Sequence, residues 1–209
     1  MFLNETRKEY TKYQFDKESA LENPFDQFGN WYEFAEKNAL FEPNSMSIST
    51  SYKNKPSNRI VLLKKYDKKG FTFFTNFNSK KSKELSLNKN IAATFFWPNL
   101  ERQIRIEGFV EKVSDKESDE YFDTRPRDSQ LSAWASNQSD IINDRDELEK
   151  KLKEFKQKFP NKVPRPEFWG GYQIIPEYFE FWQGRANRYH DRICYEKNKK
   201  NWNMFRLNP

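Results

Sequence analysis

Residues 91–113 contain two runs, Ile91-Ala-Ala-Thr-Phe-Phe-Trp97 and Gln103-Ile-Arg-Ile-Glu-Gly-Phe-Val-Glu-Lys-Val113, separated by a break that opens with Pro98. The second run sets Ile104, Ile106, Gly108 and Val110 on one face, with Arg105, Glu107 and Phe109 between them. That period of two is the pattern of a half-buried strand. Proline lacks the N–H that a ladder needs, so the first run stops at Trp97. The same signals recur outward along the chain. Met46, Ile48 and Thr50 alternate with serines, and Asn58–Lys64 is apolar in its middle. Asp67-Lys-Lys-Gly70 reads as a hairpin turn into Phe71–Thr75. Further strands are predicted at Gly170–Ile175, Tyr178–Gln183, Asp191–Tyr195 and Trp202–Leu207. Short strands this frequent predict an antiparallel barrel or sandwich.

Helical patterns are inserted between the strands. Asn23-Pro24 reads as an N-cap and first helical residue, followed by Phe28, Trp31, Tyr32, Ala35 and Ala39 at helical spacing. That helix is expected to end near Phe41, before Pro43. Ser79–Leu87 reads as a short basic helix, and Ser114–Phe122 and Arg127–Ala135 as two more. Asp144-Arg-Asp-Glu147 has the form of a capping box ahead of a core-facing stripe of Leu148, Leu152, Phe155 and Phe159. Pro160, Pro164 and Pro166 form a stiff connection. The class is therefore mainly β with added helices (α+β). A polar, mobile arm at 1–21 precedes one domain at 22–209.

Composition narrows the possible functions. The chain has 209 residues, a net charge of +6 and 17% aromatic residues. Its mean hydropathy of −1.10 is low for a folded protein. The aromatic content decides for a core, because each buried ring removes a large apolar area from water. The 37 basic residues are mixed with 31 acidic ones, so they do not mark a nucleic-acid tail. No apolar run reaches transmembrane length, and Met1–Tyr10 lacks a secretory apolar region. Neither a membrane nor a nucleic acid is expected as partner, and the expected location is cytoplasmic. Cys194 is the only cysteine and His190 the only histidine, so no disulfide and no Cys/His metal cluster can form.

Cations sit in several suggestive places. Arg188, His190 and Arg192 alternate along Glu180–Arg192, so an extended backbone would set all three on one face. Such a face reads either as a solvated basic edge strand or as the wall of an anionic or electron-rich ligand site. Trp182, followed by Gly184, suits the approach of a planar ligand. Arg59 and Lys64 end an apolar strand five residues apart, which points them to opposite faces and so to two different anions. Lys80-Lys81 beside Ser79 and Ser82 can hold a phosphate. Tyr121, Arg125 and Ser129 recur every four residues, but Pro126 disfavours one continuous helix. They are expected to meet across a break between two helices. There is no Gly-rich phosphate loop and no nucleophile elbow, so redox chemistry would fall to a cofactor.

These stretches together closely resemble the pyridoxine (pyridoxamine) 5′-phosphate oxidases, which are FMN enzymes. The resemblance is carried by Arg59-Ile-Val-Leu-Leu-Lys64, Phe73-Phe-Thr-Asn76, Leu100-Glu-Arg-Gln103 and Arg125-Pro-Arg-Asp-Ser-Gln130. It continues in Gln138-Ser139, Phe168-Trp-Gly-Gly171, Phe181-Trp-Gln-Gly184 and Arg188-Tyr-His-Asp-Arg192, in family order over nearly the whole chain. It implies a split β-barrel homodimer with two FMN sites at the subunit interface. It implies that Arg59, Lys81 and Ser139 hold the FMN phosphate and ribityl chain, and that Ile60, Val61, Leu62, Leu63, Phe74 and Thr75 line the flavin. Lys80, Gln103, Gln138, Trp182 and Arg192 would complete that site. Lys64, which also borders the cofactor stretch, would hold the substrate phosphate with Tyr121, Arg125 and Ser129. Arg188 and His190 would contact the substrate ring as the catalytic pair, and Arg7 and Tyr10 match an arm folded over the site. Phe74 stands where tyrosine is frequent and Lys80 where arginine is frequent. The implied reaction converts pyridoxamine or pyridoxine 5′-phosphate to pyridoxal 5′-phosphate, with hydride transfer to flavin N5 and reoxidation by O2 to peroxide. A split-barrel flavin reductase with another substrate is the alternative within the fold, and a basic nucleic-acid-binding module the alternative outside it.

Overall fold

The computed structural model describes residues 9–38 and 41–209. Among the described residues nine strands form one antiparallel sheet: β1 (Ser45–Tyr52), β2 (Lys55–Leu62), β3 (Lys65–Asp67), β4 (Gly70–Asn76), β5 (Asn90–Trp97), β6 (Arg102–Lys112), β7 (Trp169–Gln183), β8 (Asp191–Asn198) and β9 (Asn201–Arg206). The main path runs β2-β1-β5-β6-β7-β4-β3. Its two outer strands, β2 and β3, are joined only by Leu63 and Lys64. The path therefore curls back on itself as an open barrel, and Lys64 N–H, donating to Thr72 O at 2.9 Å, extends the β3–β4 hairpin by one residue.

β7 is the element that splits the barrel. One edge of it pairs with β6 along Tyr172–Gln183. Its other edge pairs with β4 over Trp169–Ile174 and with β8 over Tyr178–Gln183. The sequence pattern predicts two strands here, separated at Pro176. The structure has one, because the break is absorbed as a bulge. Pro176 lies opposite Gly108, and the register of β6 shifts between Glu107 and Gly108. A Cβ on Gly108 would stand 2.1 Å from Ile175 O, so only glycine lets the two strands approach this closely.

Helix α1 (Pro24–Lys37) covers one side of the barrel, and Asn23 caps it by accepting from Phe25 N–H at 2.9 Å. Its apolar face packs ring on ring: Phe28 on Phe71 and Phe95, Phe25 on Phe179, Trp31 on Phe181. Each fully buried ring is worth about 1.5–3 kcal/mol, which explains how so hydrophilic a chain keeps a core. The helix stops at Lys37 rather than near Phe41, because the Asn38 side chain turns back to donate to Phe34 O at 2.8 Å.

Helix α2 (Lys80–Leu87) follows β4, and α3 (Asp115–Thr124), α4 (Arg127–Ala135) and α5 (Arg145–Lys158) lie between β6 and β7. The last three enclose a second cluster, with Phe122, Leu131, Val163 and Trp169 buried at its centre. Leu152, Phe155 and Phe159 pack against that cluster, but Leu148 of the expected stripe is exposed. Asp144 caps α5 through Glu147 N–H, yet Glu147 pairs with Lys151 rather than returning the bond. The expected arm lies along the barrel as far as it is described. Phe15 is buried in the core, and Lys12 N–H donates to the Glu101 carboxylate at 3.1 Å. Among the described residues no helix is long and apolar enough to cross a membrane.

Candidate active site

A groove of about 850 Å³ lies between β2, the end of β4, the start of α2 and the α3–α4 junction. It is lined by Arg59, Ile60, Val61, Leu62, Lys64, Phe74, Thr75, Lys80, Lys81, Tyr121, Arg125, Ser129, Gln138 and Ser139 among the residues expected from sequence. Leu63, in the same run, is instead turned into the core. Arg59 and Lys64 line one groove rather than two opposite faces. β2 ends at Leu62, so the strict alternation that would separate them does not reach Lys64. Tyr121, Arg125 and Ser129 meet across a break, as the spacing with Pro126 predicts. α3 ends at Thr124, Arg125 is its C-cap, and α4 begins at Arg127.

Three cations of the groove, the exposed Lys64 and the more enclosed Lys81 and Arg125, lack an acidic partner among the described residues. Lys81 is 7% exposed, and its Nζ donates to Thr75 Oγ1 at 2.9 Å and Ser79 Oγ at 3.3 Å. Burial first, and then the nearby Arg59 charge, pull its pKa down to about 8. Arg125 lies over the Trp169 ring at 4.6 Å, and its Nη1 is buried with no hydrogen-bond partner. Burial lowers its pKa also. A buried donor without an acceptor costs free energy unless a ligand supplies one. Each of these groups is thus poised for an anion.

The remaining cations are held by the protein. Arg59 donates to Thr50 Oγ1 at 2.6 Å and contacts Glu84 at 3.4 Å. Glu84 also accepts from Ser57 Oγ at 2.6 Å, and its pKa is lowered despite burial by Ser57, Thr50 and Arg59. Lys80 is exposed and sits 3.8 Å from the same carboxylate. Gln138 accepts from Thr75 Oγ1 at 3.2 Å, which ties the 136–144 segment to β4. Ser139 has φ 77°, a left-handed conformation rare outside glycine that sets it at the groove wall. Phe74 stacks on Tyr121 at 4.0 Å and on Trp169 at 5.6 Å, leaving that phenol as the polar tip of an aromatic stack.

Gln103, Trp182, Arg188, His190, Arg192 and Tyr10 are not in this groove. They gather at the opposite end of β7. Gln103 and Arg192 flank Trp182 in register on its two neighbouring strands. The Trp182 and His190 rings are 4.6 Å apart, and Tyr10 stands edge-on to both at 5.7 and 5.9 Å. Gly184 does receive a planar group, but it is the Tyr10 ring: a Cβ there would be 2.7 Å from Tyr10 Cγ. Arg7 lies outside the described residues.

The alternation expected of Arg188, His190 and Arg192 does not occur. Ala186–Arg188 forms a 3₁₀ turn, Asn187 and Arg188 have φ of 53° and 63°, and β8 begins only at Asp191. Arg192 is bound by Glu180, with Nε donating to Oε1 and Nη2 to Oε2, both at 2.9 Å. Arg188 is exposed, and the His190 pKa is lowered by burial and then by Arg188. Residues that sequence reasoning left unassigned include Trp169, Asn76 and Ser57 of the groove, with Glu84 and Glu180 behind the arginines. Glu84 had a legible signal, as the sole acid in a helix that otherwise carries lysines.

From Trp169 at the groove to Trp182 in the second cluster β7 advances thirteen residues, or roughly 40 Å at about 3.3 Å per residue. No residue of the second cluster lines the groove.

Comparison with known proteins gives concordant matches. A family model described as pyridoxamine 5′-phosphate oxidase matches residues 33–159, and one described as the pyridoxine 5′-phosphate oxidase C-terminal dimerisation region matches 169–209. A pyridoxine/pyridoxamine 5′-phosphate oxidase of Trichormus variabilis is 50% identical over 99% of this chain and 98% of its own. One of Rubrobacter xylanophilus is 48% identical over 97% and 94%. Among solved structures, PhzG from Burkholderia lata 383, in complex with tetrahydrophenazine-1-carboxylic acid, superposes with a TM-score of 0.90 at 25% identity, covering 96% of this chain and 100% of its own.

Proposed function

The chain belongs to the pyridoxamine 5′-phosphate oxidase family, and from that premise we propose that it is an FMN-dependent oxidase making pyridoxal 5′-phosphate from pyridoxamine or pyridoxine 5′-phosphate. The observation that carries the reading furthest is the pair Lys81 and Arg125 in one groove, the first a buried ammonium held only by hydroxyls and the second a guanidinium with an orphaned Nη1. Two anion positions suit a reaction whose cofactor and substrate each carry a phosphate.

The groove residues fit FMN. A buried ammonium without a carboxylate accepts a phosphate with little added desolvation, and Arg59 stands beside it with its orientation fixed by Glu84 and Thr50. Ser139 and Gln138 border the same wall, with Lys80 at its rim. Arg125, Tyr121, Ser129 and Lys64 are assigned to the substrate phosphate. Arg125 presents a planar fork, which holds a phosphate in one orientation where an ammonium would not. Bound flavin would supply the two-electron chemistry, taking hydride from the substrate's 4′ carbon at N5 and returning the electrons to O2 as peroxide.

The second cluster is assigned to a partner copy. Gln103, Trp182 and Arg192 would close over the cofactor, and Arg188 and His190 over the substrate ring, with Arg7 and Tyr10 covering it. A homodimer follows, since each groove needs the far end of another chain's β7. The match of residues 169–209 to a dimerisation region supports this arrangement.

The test is direct. Purified protein should show the visible absorption of bound FMN. Pyridoxamine 5′-phosphate should bleach it anaerobically, and air should restore it with one peroxide formed per pyridoxal 5′-phosphate. A colourless protein that FMN cannot reconstitute would sink the reading. A yellow protein left unbleached by both phosphorylated substrates would point to a different substrate on the same fold.

A further inference from the structure

The loop that closes the second cluster is tied by a buried carboxylate, while the Glu9 carboxylate accepts from Asn187 N–H at 3.3 Å at its exposed side. Asp191 is 6% exposed, and three elements converge on it. Its Oδ2 accepts from Arg185 Nη1 at 2.9 Å and from Phe15 N–H at 3.2 Å, and its Oδ1 from Arg206 Nη1 at 2.9 Å. Loop 184–190, strand β9 and the N-terminal segment are thereby tied to the first residue of β8. The loop needs this tie, because Asn187 and Arg188 both hold left-handed backbone angles without being glycine.

Arg185 makes a second contact that determines chemistry. Its backbone N–H donates to His190 Nδ1 at 3.1 Å. A backbone N–H can only donate, so Nδ1 must offer its lone pair. The proton of the neutral imidazole is then on Nε2. Among the described residues Nε2 makes no hydrogen bond.

We propose that Asp191 and Arg185 are positioning residues: they lock loop 184–190 so that His190 stands as its Nε2–H tautomer, a fixed hydrogen-bond donor for the bound substrate. Arg185 acts twice, closing the loop through its guanidinium and selecting the tautomer through its backbone. In this arrangement His190 donates to the substrate ring and does not take a proton from it, because protonation at Nδ1 would set two N–H groups against each other. The charged and titratable groups around the imidazole are Arg185, Arg188 and Asp191 in its own segment and Tyr10 from the N-terminal segment. Burial and Arg188 oppose its charging, and only Asp191 favours it.

The inference rests on the proposed function only for what the donor touches, and the two can fail separately. His190 is the sole histidine, so tag-free protein labelled with ¹⁵N-histidine gives one pair of ring resonances. In the FMN-loaded protein near neutral pH, Nδ1 should resonate as an unprotonated nitrogen and Nε2 as a protonated one. The opposite pattern, or a charged ring, overturns the proposal. Asp191→Asn keeps the shape of the side chain and removes its charge. It should move both resonances toward the average of two exchanging tautomers. With FMN still bound, it should slow anaerobic flavin reduction about tenfold or more, as misplacement of a reacting group does. Unchanged nitrogen shifts in this variant overturn the lock whatever its activity. If Asp191→Asn does not fold, Arg185→Ala applies the same test from the loop side. If the parental resonances are as stated but pyridoxamine 5′-phosphate is not oxidised, the lock stands and the assigned function falls.

Discussion

Lys81 and Arg125 differ in how they came to lack a partner, and the difference is measurable. Lys81 is buried against hydroxyls, and its pKa of about 8 means that the empty groove begins to lose its charge in mildly alkaline solution. A phosphate bound there favours the charged form and raises that pKa. FMN binding should therefore take up protons at about pH 9 and few at about pH 7, where Lys81 is already charged. Calorimetry in buffers of different ionisation enthalpy reads this uptake, and Lys81→Met should abolish it. Equal uptake in parent and variant would remove Lys81 from the phosphate site. Arg125 keeps its charge throughout, and its orphaned Nη1 gives the sharper kinetic effect. Arg125→Ala should raise KM for the phosphorylated substrate by about 10- to 100-fold, the worth of one or two charge-assisted hydrogen bonds, with FMN retained. Loss of FMN at unchanged KM would instead assign Arg125 to the cofactor.

At the scale of elements, β7 shows what the sequence could and could not convey. Its two runs, Gly170–Ile175 and Tyr178–Gln183, were legible as strands, as were the cap at Asn23, the interrupted helices around Pro126 and the Asp67–Gly70 turn, because each depends on neighbours within a few residues. Pro176 was legible as a break but not as a bulge, since its consequence depends on Gly108 some seventy positions earlier. Gly108→Ala should destabilise the protein by about 1–3 kcal/mol through overpacking against the Ile175 carbonyl, seen as a lower melting temperature. A variant as stable as the parent would mean that the two strands can part there at little cost. The Arg188–Arg192 stretch failed as a strand for a related reason. Its backbone is set by Asp191, whose partners Phe15, Arg185 and Arg206 are mostly remote in sequence, and no local period encodes them. Lys80-Lys81 beside two serines and Arg125 in its broken repeat were legible locally, but their gathering with Arg59 and Lys64 in one groove was legible only through family resemblance. Spacing alone sent Arg59 and Lys64 to opposite faces, because it could not show where β2 ends.

For the whole molecule, the distance along β7 between the two halves of the site gives a test that needs no structure of the assembly. Lys81→Met should disable a site from the groove side and His190→Asn from the far side, so each variant alone should be nearly inactive. Unfolded together and refolded, they form mixed dimers in which one site carries both lesions and the other carries none. Random pairing should restore about a quarter of the parental activity. No recovery on mixing would mean that each chain completes its own site. The same placement has a thermodynamic consequence. A ligand gripped by two chains binds the pair and not the separated protomers, so its occupancy and the association of the chains obey one reciprocal relation. On the proposed arrangement, dilution that splits the dimer should loosen the cofactor. By the same factor, free FMN should tighten the proposed dimer, and the level of the vitamin-derived cofactor would then set how much of the chain exists as paired protein.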